Sequence, residues 1–366
     1  MTGALLVGAS GGSILFHSCG HAQEPDERAA SLTQANNGRN YLTVDIHCHG
    51  LVPEMEPYIN QTDGWAAQEA RGWGSFSTSI TGEIGRKLTS LETRLSIMDA
   101  MGVDIQAISP SPTQYYYYAP RDIAEEIIQI QNEKLAEFVA ETPDRFVGMG
   151  GVALQHPDLA VQQLDHAVNR LDLRGVMISS HIEGEDLNSS RFEPFWAKAV
   201  ELDVLVFIHP MGFTQPQRFR DYFMGNVVAQ PLETSIAISH LIFGGVLDRY
   251  PGLKICTAHG GGYLASYIGR AERCYEIDPR CQTIQKRPLE YLRDLYHDSI
   301  VFTEESLQHL VRQVGPDRIL LGSDYPYDLG DPEPARRLMA LDRLSEENRE
   351  AMLGGTAAEL LRIQTA

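Results

Sequence analysis

The sequence predicts an α/β fold, a (β/α)₈ TIM barrel with long insertions after some of its strands. Three observations predict it. Eight short apolar runs alternate with segments of helical spacing. The runs are apolar almost throughout, as parallel strands buried on both faces are. The first run ends in His-Cys-His, where a doubly wound sheet would carry a glycine-rich phosphate turn.

The runs occupy residues 41–49, 103–109, 145–153, 173–179, 203–209, 253–259, 297–302 and 318–324. Helices are predicted over 89–101, 121–141, 157–171, 191–202, 230–249, 262–275, 304–314 and 333–353. Leu88, Leu91, Leu95 and Met98 share one face of the first, and Thr89 with Glu92 makes a capping box at its start. Residues 50–88 and 210–229 fall outside the repeat, and long insertions after barrel strands commonly build active sites.

Residues 41–366 therefore read as one barrel domain, and residues 1–40 stand apart from it. Residues 4–16 are apolar and glycine-rich, and small residues follow at 20–22. One reading is the remnant of an export signal within residues 1–22. The other is a disordered extension, which leaves the protein in the cytoplasm. No Lys or Arg precedes the run, so the basic start of a signal is missing. The run is too short to span a bilayer as a helix.

Hydrophobic residues make up 43% of the chain and charged residues 22%, an ordinary globular balance. Acidic residues outnumber basic ones by 49 to 30, a net charge of −19. That balance argues against nucleic acid and anionic membranes as partners. It also means that an anionic substrate needs positive charge concentrated locally. The five cysteines are odd in number and contain no Cys-x-x-Cys pair, so neither a disulfide framework nor a cysteine zinc site is expected.

His47 and His49 flank one residue on the first strand. Side chains two apart share a face, so both point into the barrel mouth while Cys48 points out to the helix layer. His209 ends the fifth strand, His259 the sixth and Asp324 the eighth. Polar groups converging on one rim need partners or a metal. Three imidazoles and a carboxylate suit Zn²⁺, with Mn²⁺, Co²⁺ or Fe²⁺ as alternatives, and an open coordination position makes such a site catalytic. His259, in Ala-His-Gly-Gly-Gly, is read as a general acid/base beside the metal, with the glycines leaving room for substrate. The fourth strand's end, residues 176–184, contains no lysine. His181 nearby is a further candidate, and Tyr115–Tyr118 reads as packing.

The chain resembles the decarboxylase branch of the amidohydrolase superfamily, the aminocarboxymuconate-semialdehyde decarboxylase family. The matching pieces are DIHCH (45–49), FIHP (207–210), the run from 231 through AHGGG at 258–262, IGR (268–270), HDSIVF (297–302) and DRILLGSDYPYDLGD (317–331). They span most of residues 41–363. The resemblance implies a barrel of the metal-dependent hydrolase type. It implies His47, His49, His209 and Asp324 as ligands of a single metal, because the lysine that two-metal hydrolases of the superfamily carry at the fourth strand's end is missing from residues 176–184. It implies His259 as catalytic, with Asp324 sharing the proton transfer. It implies that Arg270 grips a substrate carboxylate from a neighbouring subunit, hence a homodimer. Arg86 lies near the place of a second substrate-binding arginine, at a different spacing from the helix. Met211 stands where the family carries a tryptophan, so the substrate pocket differs and the exact substrate is not carried over. The implied activity is metal-dependent, non-oxidative decarboxylation of a small unsaturated or aromatic carboxylic acid. Hydrolysis of a lactone, amide or ester is the alternative.

Overall fold

The computed structural model describes residues 41–64, 82–213 and 216–364. The amino-terminal run and its two readings lie outside these residues. Eight parallel strands form the centre: β1 (Val44–Gly50), β2 (Ile105–Pro110), β3 (Phe146–Gly148), β4 (Gly175–Ile178), β5 (Leu205–Ile208), β6 (Lys254–Thr257), β7 (Tyr296–Asp298) and β8 (Ile319–Leu320). Each falls within or beside one of the eight apolar runs. They pair in sequence order, β1 to β3 and β4 to β8.

Two seams close the ring. Gly150 pairs with Val176, donating to Gly175 O and accepting from Met177 N, both at 2.9 Å. Ile46 N donates to Leu321 O at 2.9 Å, and Cys48 pairs with Tyr325. Closure leaves no sheet edge and brings the first and eighth strands side by side. This is what lets residues far apart in sequence share one rim.

Helices cover the outside: α1 (Leu91–Met101), α2 (Arg121–Glu141), α3 (Pro157–Asn169), α4 (Glu193–Glu201), α5 (Gln230–Phe243), α6 (Leu264–Ile277) and α7 (Glu304–Val314). Their apolar faces pack on the strands, with Met98, Ile127, Leu164, Trp196, Ile238 and Leu307 almost fully buried. Among the described residues, no helix is long and apolar enough to cross a membrane.

Several expectations need correction. The cap of α1 is Ser90, whose side chain accepts from Thr93 N, and not Thr89. Thr89 already ends a preceding helix, Gly82–Thr89, and its hydroxyl donates back to Gly85 O. The helix predicted over 230–249 breaks where Gly245 takes a positive φ, and Val246–Arg249 resumes it. Residues 333–353 form two short helices, Pro334–Met339 and Glu346–Glu350, separated by a turn in which Arg343 has positive φ. A further helix, Pro288–Asp294, was not read from the sequence; Glu290 reaches back to Arg287 N at its start.

The cysteine expectation also changes. Cys274 and Cys281 form one disulfide joining the end of α6 to the next turn. It is a local staple seven residues apart, the kind of short bridge that an odd cysteine count conceals. Cys48 and Cys256 are buried free thiols.

The cap assignment is testable. Ser90→Ala should lower stability by about 1 kcal/mol in urea denaturation, and Thr89→Ala by less than half as much. The reverse order would return the cap to Thr89.

Candidate metal centre

β1 is irregular where it matters. Its register against β2 slips between Asp45 and Cys48, so one extra residue sits on the β1 side. Bulges of this kind re-aim side chains beside active sites. Here the His47 N–H is taken up by Asp45 Oδ1 at 3.1 Å. His47 and His49 both turn into the mouth, and Cys48 faces outward with its Sγ 3.3 Å from Ala107 O.

His47, His49, His209 and Asp324 each offer one ligand atom, and these atoms lie within 4.8 Å of one another. His47 Nε2 is 3.2 Å from His49 Nε2 and 3.3 Å from Asp324 Oδ1. His49 Nε2 is 3.1 Å from the same oxygen. The rings of His47, His49 and His209 lie 5.0 Å apart pairwise. Two buried imidazole nitrogens facing each other at this distance, with one carboxylate oxygen between them, lack hydrogen-bond donors to go round. His209 Nδ1 is also buried without a partner. A divalent cation relieves the first deficit, and three nitrogens with one carboxylate form an ordinary tetrahedral donor set. The residues therefore fit a metal.

Asp298, at the end of β7, was not singled out from the sequence, although it sits in the HDSIVF segment. Its Oδ2 accepts from His47 Nδ1 at 2.6 Å and from His259 N at 2.8 Å. Its Oδ1 accepts from Gly260 N at 2.8 Å and Ile300 N at 3.0 Å. The bond to His47 holds the proton on Nδ1 and leaves Nε2 for a cation. The only available signal was its position, a carboxylate at a strand's carboxyl end.

His259 lies beside the cluster, its Nε2 3.7 Å from Asp324 Oδ2, and its Nδ1 is buried and unpartnered. Both His259 and Asp324 have left-handed φ, 56° and 57°, a strain found mostly where function requires it. The glycines after His259 serve the backbone more than an incoming ligand. A Cβ would lie 2.4 Å from Val301 at Gly260, 2.6 Å from His297 at Gly261 and 2.1 Å from Pro231 O at Gly262. These residues must be glycine because the loop packs against the protein itself.

The charges of the cluster are tightly coupled. Burial opposes charge on His47, but Asp324 and Asp298 outweigh it and raise the group to about 10. Burial lowers His49 to about 4, with the neighbouring His47 charge acting in the same sense. Burial and the surrounding imidazoles push His209 well down. Asp324 stays well below the usual carboxylate range despite its burial, because His47, His259 and His49 face it. Without metal, the cluster thus keeps one extra proton on His47, where a cation's charge would otherwise lie.

The other sequence candidates lie elsewhere. Arg270, on α6, and Arg86 are exposed. His181 accepts from Gly184 N at 3.1 Å in a small hairpin turn. Tyr115 and Tyr117 are buried and stacked, 5.4 Å apart. Tyr115 OH donates to His209 O at 3.2 Å and thereby supports the fifth-strand end. Met211 is tied to Ser179 through both its backbone N and O.

The amidohydrolase family model matches residues 44–363. A 2-amino-3-carboxymuconate-6-semialdehyde decarboxylase of Dictyostelium discoideum is 32% identical over 329 residues, covering 87% of this chain and 91% of that one. A gamma-resorcylate decarboxylase of Rhizobium radiobacter is 29% identical over 258 residues, covering 66% and 79%. Among solved structures, a 5-carboxyvanillate decarboxylase of Novosphingobium aromaticivorans, complexed with manganese and 4-hydroxy-3-methoxy-5-nitrobenzoic acid, superposes with a TM-score of 0.76 at 24% identity. That match covers 88% of this chain and 97% of the other.

Two outcomes follow from the coupling. His47 titrates near 10 when folded against 6.5 as a free side chain. Its stabilising contribution is therefore complete below pH 6.5 and is lost as pH rises through about 10. Thermal melts of chelator-treated protein should fall between pH 7 and 10, and a flat profile would refute the coupling. Asp298→Asn should weaken metal binding by about 10–100-fold in a chelator competition.

Proposed function

From the premise that the chain belongs to the amidohydrolase family, we propose that it is a metal-dependent, non-oxidative decarboxylase of a small unsaturated or aromatic carboxylic acid. The relatives carry names of this activity. The observation that carries the reading is His259 beside a four-donor cluster, its Nε2 3.7 Å from Asp324.

His47, His49, His209 and Asp324 would hold one divalent metal. Zn²⁺ suits the nitrogen-rich donor set, and Mn²⁺, present in the Novosphingobium structure, is the alternative. When bound, the ion supplies Lewis-acid polarisation of substrate oxygen and local positive charge within a chain of net charge −19.

The bond to the carboxylate carbon breaks, CO₂ leaves, and the electron pair remaining on the ring or alkene carbon takes up a proton. Asp324 and His259 are placed to move that proton between Oδ2 and Nε2. Asp298 orients His259 and the donor His47, since it grips the His259 backbone and the His47 ring.

Arg270 holds a substrate carboxylate across a homodimer interface. Tyr263, at the cap of α6, and Tyr267 and Arg270 on it are spaced four and three apart and are all exposed. Tyr263 OH reaches Val227 O at 3.4 Å, and Tyr222, Phe223 and Val227 are exposed as well. Exposed aromatic side chains near an exposed arginine that makes no ion pair among the described residues suit a second copy of the chain. Arg86 serves as a second substrate-binding residue. The cytoplasm is the proposed compartment; the Cys274–Cys281 bridge favours a more oxidising one, so thiol counts on native protein decide between them.

Purified enzyme given carboxylated catechols, resorcylates and muconate semialdehydes should release CO₂, lose that activity with chelator and regain it with Zn²⁺ or Mn²⁺. Acid released from lactones or amides, with no CO₂, would replace the reading with hydrolysis. His259→Asn should retain metal while slowing turnover by about 10²-fold or more. Inactive Arg270→Ala and His259→Asn chains should recover activity on mixing, because one hybrid site has both groups. Sedimentation showing monomer alone at micromolar concentration would defeat the shared site.

A further inference from the structure

The metal donors lie on the inside of the barrel, but the group tying two of them together lies on the outside. Arg94, on α1, is completely buried. Removing a guanidinium from water is costly unless it is well bonded. Arg94 bonds neutral groups through its two terminal nitrogens, and two of these groups lead to the rim. Its Nη2 donates to His49 O and, at 3.5 Å, to Leu88 O. Its Nη1 donates to Gln106 Oε1 at 3.0 Å. Gln106 Nε2 in turn donates to Asp45 Oδ2 at 3.0 Å. Asp45 accepts from Ser323 Oγ at 2.5 Å and Ser323 N at 3.0 Å. Ser323 directly precedes Asp324.

The flat face of the guanidinium is used too. Its central carbon lies 4.6 Å above the Tyr325 ring, and Tyr325 directly follows Asp324. Arg94 therefore grips the strained Asp324 turn from both sides and His49 from behind.

We propose that Arg94 is a positioning residue for the metal centre, setting the separation of His49 and Asp324. The two arms require a planar fork: one nitrogen takes the His49 carbonyl while another takes Gln106. A lysine at this position keeps the charge but cannot span both. The inference rests on the metal-site reading above.

The test compares three variants with wild type for Mn²⁺ affinity, by competition with a fluorescent chelator, alongside thermal melts. Arg94→Lys loses the fork. Gln106→Leu leaves Arg94 in place and cuts only the arm toward Asp324. Met98→Ala, fully buried on the same helix, removes packing but neither arm. Arg94→Lys and Gln106→Leu should each bind Mn²⁺ about 10–100-fold more weakly. At saturating Mn²⁺ both should show reduced kcat with KM unchanged. Met98→Ala should melt earlier and keep wild-type Mn²⁺ affinity.

Wild-type affinity in both Arg94→Lys and Gln106→Leu overturns the proposal. So does an equal loss in Met98→Ala, which would make the role one of packing alone. If Arg94→Lys does not fold, Gln106→Leu decides the matter by itself. Wild-type protein that binds no Mn²⁺ or Zn²⁺ is a different result, and it removes the metal-site reading together with this inference.

Discussion

The arrangement of the mouth depends on one buried carboxylate. Asp298 accepts four hydrogen bonds, from the His47 ring and from the backbones of His259, Gly260 and Ile300. A carboxylate at full burial is tolerable only when every lone pair is used, and here they are. The same four bonds set the tautomer of His47 and hold the loop that carries His259. The ligand and acid/base assignments thus share a single anchor.

Around that anchor the barrel stores strain and charge. His259 and Asp324 both take left-handed backbone conformations, held by the closed ring and by glycines packed against neighbouring backbone. The mouth sets Asp324 and Asp298 against the imidazoles of His47, His49, His209 and His259 in a largely buried setting, where each interaction is stronger than in water. This is how a chain of net charge −19 still presents a centre suited to an anion: the charge that matters is local, and a bound cation would dominate it. The outer layer takes part through Arg94, so the helices do more than bury the strands.

Much of this was legible in the sequence. Parallel strands buried on both faces must be apolar nearly throughout, and the eight runs showed it. A strand's two-residue repeat put His47 and His49 on one face, and strand-end positions marked His209, His259 and Asp324. Local chemistry was less clear. Ser90 and Thr89 are both capable caps, and choosing between them requires the backbone angles. The glycine-broken helix at Gly245 and the proline-led helices after residue 287 follow tertiary contacts more than periodicity. Asp298, Asp45, Gln106 and Arg94 looked like ordinary polar residues, because nothing in their neighbours states what they will meet after closure.

The sequence by itself determined the barrel class, the strand ends and the types of donor available there, since these depend on short-range periodicity and on side-chain chemistry. Only the tertiary structure decided which of those donors meet, with which tautomer, and what holds them. The bulge at His47, three of the four bonds to Asp298 and the reach of Arg94 to both seam strands join residues tens to hundreds of positions apart. Such contacts exist only once the first and eighth strands have paired, because ring closure is what brings their ends within hydrogen-bond distance.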